Sequence, residues 1–246
     1  MRRTLFVFVA VFAMMNVSIA QLLKTTPEFP TDTSPLSIEV DFTKGNQGLM
    51  NYANTNDVFV HVGVITDLSS GNSDWKYVKF TWGTADPNAK ATFISANKYR
   101  FDIPNIRTFF GVPGGETIRK VAILFRNGNG SLVQRNADAS IDMGNMYIPV
   151  YSSAPASKFI QPLYEPYFTP KPEPINRSVG NTIDLDYKAN QQGTLQLFLN
   201  GTQIQSVANT DDVQASPVIT TAGNQQVVGR AIIGSTTLSD TFNFFV

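Results

Sequence analysis

The stretch that decides the fold is DVFVHVGVITDLSSGNSDWKYVKFTWG, Asp57 to Gly83. Val58, Val60, Val62 and Val64 alternate with Phe59, His61 and Gly63, and a period of two marks a strand with two distinct faces. The polar run Thr66 to Asp74 then reads as a loop, after which the chain returns through Trp75, Tyr77 and Trp82. Trp75 and Tyr77 are two residues apart, so an extended backbone points them to the same side.

The same period recurs on both sides of this stretch. Phe93–Ile94 and Tyr99 to Ile103 bracket the turn Ser95-Ala96-Asn97-Lys98, a hairpin pattern. Ile118 to Phe125 reads as a strand ended by the turn Asn127 to Gly130. Only Asn105 to Phe110 reads as helical, with Asn105 suited to cap it and Gly111 to end it. Further on, Ile183, Leu185 and Tyr187 alternate with Asp184 and Asp186, and Leu195, Leu197 and Leu199 run into Asn200-Gly201, the strongest short hairpin pattern. Val227 to Ile233 and Thr237 to Val246 complete the series. The fold class expected is all-β: two antiparallel, immunoglobulin-like β-sandwich domains joined by a Pro-rich linker, after a cleaved signal peptide.

Proline and the N-terminus set the boundaries. Arg2 and Arg3, the apolar run Leu5 to Met15 and Ser18-Ile19-Ala20 form a secretory signal over residues 1–20. The apolar run is about half the roughly 20 residues a spanning helix needs. Residues 21–35 make a polar lead, 36–151 a first β-domain, 152–176 the linker crowded with six prolines, and 177–246 a second β-domain. The expected location is outside the cell, at its surface or in a periplasm. No cysteine is present to carry a lipid anchor. The chain closes in mid-strand pattern at Phe244-Phe245-Val246, which fits a neat terminus or the front of a longer parent.

Composition excludes more chemistry than it offers. The 246 residues carry 19 basic and 19 acidic side chains, one histidine and no cysteine. Zero net charge without a basic stripe argues against a nucleic-acid partner. Without cysteine there are no disulfides and no thiolate chemistry, and His61 alone cannot make a multi-imidazole site. His61 sits between valines, and no Gly-x-Ser-x-Gly elbow accompanies it, so a serine triad is not expected. Of five glutamates, Glu28, Glu165 and Glu173 fall in proline segments, Glu39 at a domain edge and Glu116 after a Gly-Gly turn, which leaves no pair placed across a cleft. Asp138, Asp142 and the Asn127–Gly130 turn lack the loop spacing of a calcium site. No cofactor, no metal and no catalytic residue are therefore expected.

The aromatic residues are the informative ones. Both tryptophans lie within eight residues of each other with Tyr77 between them. A pyranose stacks its C–H face on such rings while imidazole, amide and guanidinium groups bond its hydroxyls. The alternative is that the indoles are interior residues of a sandwich, with Trp82, beside Phe80, the closer to a core residue.

Two runs, Asp57 to Gly83 and NKYRFDIPNIRTFFGVPGGETIRKVAILFRNGNGS, Asn97 to Ser131, resemble the N-terminal β-domain of secreted multidomain bacterial α-amylases. TLQLFLNGTQIQS and the terminal DTFNFFV resemble the immunoglobulin-like domain that follows it in those enzymes. The first domain is also similar to starch-binding carbohydrate-binding modules, in which a His on one strand, a Trp after the next loop and a late F-N-D-G-x-G turn come in that order. His61, Trp75 and FRNGNG match that order, with Arg126 inserted before Asn127 and a longer loop before Trp75. The resemblance implies a non-catalytic module for α-glucan polysaccharide or maltooligosaccharide. Its candidate binding residues are His61, Trp75, Tyr77, Trp82, Arg126 and Asn127, and a catalytic barrel would follow in a longer parent. Two other functions stay open: a surface or secretion-associated protein-interaction module, and a hydrolase within a longer chain.

Overall fold

The computed structural model describes residues 21–137, 139–140, 142–162 and 177–246; the signal segment and residues 163–176 of the Pro-rich stretch lie outside the described residues. The first unit contains β1 (Leu23–Thr26), β2 (Leu36–Asp41), β3 (Val58–Thr66), β4 (Lys76–Lys79), β5 (Thr92–Ser95) and β6 (Lys98–Ile103). It continues with α1 (Ile106–Phe110), β7 (Ile118–Asn127), β8 (Val133–Gln134) and β9 (Met146–Pro149). One antiparallel sheet runs β1-β2-β6-β5, and the other runs β4-β3-β7-β8 with β9 also on β7. Ile38, Val60, Val62, Val64, Ile103, Val121, Ile123 and Phe125 belong to one buried cluster between them. Burying each such side chain is worth about 1.5–3 kcal/mol, so this cluster holds the unit together without disulfides.

Local chemistry explains the elements. The Asn105 side chain accepts from Thr108 N at the start of α1, and Gly111, at φ 75°, ends it after little more than one turn. β3 and β7 pair through Val58–Thr66, with His61 opposite Leu124 and Phe59 opposite Arg126. Both faces of β3 are buried, although its sequence alternates. Phe59, His61, Gly63 and Ile65 form an outward face, and the chain that follows β3 returns over it.

The lead is not only a lead. Leu22 and Leu23 are buried, and β1 pairs with β2 in the register Leu23–Val40 to Thr26–Ser37. Similarly, part of the proline-crowded stretch forms a ladder. Ser157–Gln161, between Pro155 and Pro162, contains no proline, so its amides can donate, and it makes strand β10 of the second unit. Phe159 lies opposite Tyr187 and is buried.

That second unit adds β11 (Leu185–Leu199), β12 (Thr202–Ala215), β13 (Asn224–Ile233) and β14 (Thr236–Phe245) to β10, in the order β10-β11-β13-β14 with β12 on the other edge of β11. Asn200 and Gly201, both at positive φ, turn β11 into β12. The 15-residue β11 pairs with β10 along Asp186–Ala189 and with β13 along Thr194–Leu199, so one backbone serves two neighbours in succession. The chain is thus all-β, built of antiparallel sheets, as its alternation predicts.

Candidate functional site

The outward face of β3 and β7 carries the candidate residues. Trp75 is partly buried and packs on Ile65, Ala122 and Tyr147, a cluster separate from the main core. The His61 ring stacks on it, 5.8 Å between centroids at 24°, and meets Trp82 edge-on at 5.2 Å and 83°. Gly63 makes this packing possible: a Cβ there would lie 3.1 Å from Lys76 O and 3.4 Å from Trp75 Cβ. Trp75 is therefore neither a sandwich-core residue nor a bare platform. It covers the outside of the sheet.

Tyr77 does not accompany it. Val62 pairs with Lys79 and Val64 with Lys76, so β4 spends one extra residue against β3, and Tyr77 takes φ 50° at this bulge. The extra residue reverses the side-chain direction. Tyr77 packs against the main core, and its hydroxyl donates to Glu116 Oε2, a bond that holds the phenol pKa above its ordinary value. The expectation that Trp75 and Tyr77 share a side is overturned by this single inserted residue.

Arg126 and Asn127, expected at a rim, are interior. Arg126 is fully buried. Its Nη1 donates to Asn127 O at 2.9 Å and Gly128 O at 2.8 Å, and its Nη2 to Thr84 O at 2.7 Å. The guanidinium carbon lies 5.7 Å from the ring centroids of both Phe59 and Trp82. Arg126 thereby ties the Thr81–Thr84 turn to the Asn127–Gly130 turn. Asn127 fixes the second turn from within, its Oδ1 accepting from Leu132 N at 3.0 Å and its Nδ2 donating to Ser131 Oγ at 3.1 Å. Desolvation, with the nearby Arg126 cation second, lowers the His61 pKa, so the imidazole is neutral at pH 7.

Trp82 is the residue left open. It is 44% exposed, although its position beside Phe80 favoured an interior placement. The reason is the turn: Phe80, at φ 67°, faces Phe101 and Phe109, while Trp82 swings out over Gly130. A Cβ on Gly130 would fall 2.6 Å from Trp82 Nε1, so only glycine lets the indole lie against that turn. Asn129 beside it is exposed, with Oδ1 accepting from Ser131 N at 3.0 Å. The sequence did hold a cue to Arg126: it continues the outward series Ala122, Leu124 on β7, and an apolar outward face requires a cover.

No family model matches the chain, and no curated protein matches it. Among solved structures it is similar to the fibronectin(III)-like modules of Clostridium thermocellum CbhA, at 12% identity over 91% of this chain and 93% of that one, TM-score 0.27. It is also similar to domains 3 and 4 of rat CD4, at 11% identity over 89% and 97%, TM-score 0.22. A third is apo β-glucuronidase 3 of Bacteroides uniformis, at 12% identity over 87% of this chain and 27% of that one, TM-score 0.27. At these scores nothing about function is carried across.

Proposed function

We propose that the chain is a secreted, non-catalytic module that binds α-glucan, as starch or maltooligosaccharide, on the Trp82 face of its first unit. The observation that supports this reading is an indole 44% exposed to water yet clamped in place by a buried arginine and a glycine turn. A rigid, open apolar ring matches the C–H face of a pyranose and loses little entropy on binding. The platform moves from Trp75 and Tyr77 to Trp82. Beneath it His61 buttresses the ring, and the Asn129 side-chain amide is placed to bond a sugar hydroxyl. A one-ring site gives an expected Kd of roughly 10 to 1000 μM. In a longer parent chain it would hold a catalytic domain against insoluble starch and raise its effective concentration.

Affinity electrophoresis in gels containing soluble starch tests this. Retardation of the wild type, lost in Trp82→Ala and kept in Trp75→Phe, is the expected result. Wild-type mobility unchanged by starch overturns it. One observation favours a second reading, protein interaction by strand addition: among the described residues β12 pairs only with β11, and Thr202 to Asn209 are exposed apart from half-buried Ile204.

A further inference from the structure

Away from Trp82, at the start of β7, lies a cleft of about 660 Å³ walled by Thr31–Thr33, Gly114–Arg119 and Val150–Ser153. Volumes of this order hold small ligands. Its walls are fixed in advance. Arg107 donates through Nε and Nη2 to Asp32 Oδ2 at 2.9 and 2.6 Å, through Nη1 to Pro113 O at 2.6 Å, and through Nη2 to Glu116 O at 2.9 Å. Thr31 is bridged to Tyr151, whose N donates to Pro30 O at 2.8 Å.

Several polar groups in this frame are left without protein partners. The Arg119 carbonyl accepts from Val150 N at 2.9 Å, while its exposed side chain makes no hydrogen bond or ion pair among the described residues. The Gly114–Gly115 backbone is open, since a Cβ on either would meet nothing within 4 Å. Glu116 is buried and accepts from Tyr77 at Oε2, with Oε1 unbonded. The two arginines and two carboxylates of the lining cancel in charge. Donors and acceptors thus stand side by side around Val150 and Tyr151 with no net charge. That arrangement suits hydroxyls, which both donate and accept, over an anion, which would meet Asp32 and Glu116.

We propose that this cleft binds one unit of a neutral saccharide, separately from the Trp82 face. The proposal does not rest on that face, and either can fail alone. The test is amide NMR of the whole chain titrated with maltotriose, cellotriose and xylotriose, each to about 50 mM. At least one sugar is expected to shift the Gly114, Gly115 and Thr117 amides saturably. The shifts persist in Trp82→Ala, weaken at least fivefold in Arg119→Ala, and vanish in Gly115→Leu, which fills open space and leaves the remaining spectrum in place. No shift with any sugar, or shifts unchanged in Gly115→Leu, overturns the proposal. So does loss in Trp82→Ala, or a response of these amides to inorganic phosphate alone.

Discussion

Replacing Arg126 by methionine keeps the apolar stem and removes the guanidinium that joins two turns more than forty residues apart. The cost follows from the acceptors it abandons. The Asn127 carbonyl keeps the Gly130 amide at 3.0 Å, the Gly128 carbonyl of a buried residue loses its donor, and Thr84 is exposed, so its carbonyl rehydrates. One orphaned buried acceptor costs about 1–3 kcal/mol, and the lost bond to the Asn127 carbonyl adds about 1 kcal/mol. Part is offset, because the cation itself is desolvated, which lowers its pKa. A net loss of about 2 kcal/mol is expected, a sizeable share of a domain stability of roughly 5–15 kcal/mol. Both tryptophans lie in the first unit, so urea unfolding followed by tryptophan fluorescence reports that unit selectively. The midpoint should fall with little change in slope. Arg126→Lys should recover less than half, since one ammonium cannot span both turns. A change below about 0.5 kcal/mol in Arg126→Met would refute the clamp.

Two further outcomes are expected. Asp186 has its pKa raised to about 6, first by desolvation and then by the charge of Asp212. The folded state therefore holds that proton more tightly than the unfolded chain, and the associated stability is full below about pH 4 and lost as pH rises to about 6. Asp186→Asn should melt higher than the wild type at pH 7, by about 1 kcal/mol after discounting for its partial exposure, with the gap closing toward pH 4; a gap constant with pH counts against it. Gly63→Val should cost about 2 kcal/mol by crowding Trp75 and the Lys76 carbonyl, and should shift tryptophan emission; an unchanged spectrum and midpoint count against it.

Much of the framework was legible because its cues are local. Asn105 and Gly111 bounded the short helix, Asn200-Gly201 gave the β11–β12 turn, and the valines of β3 gave its inward face. What escaped has its causes at a distance. Tyr77 turns inward because β4 is one residue out of step with β3, and a period count along one strand cannot see its partner. Arg126 reads as a charged rim residue until the Thr81–Thr84 turn arrives above it from elsewhere in the chain. Ser157–Gln161 looks like connector because prolines flank it, yet it contains no proline itself and Phe159 has a core to enter.

The long strand β11 makes the second unit indivisible. Neither half can open without tearing the same stretch of main chain from its other neighbours, so melting should proceed as one transition with no surviving hairpin. A protease cut between Gln191 and Gln192 would consequently dismantle the whole unit instead of releasing a stable fragment.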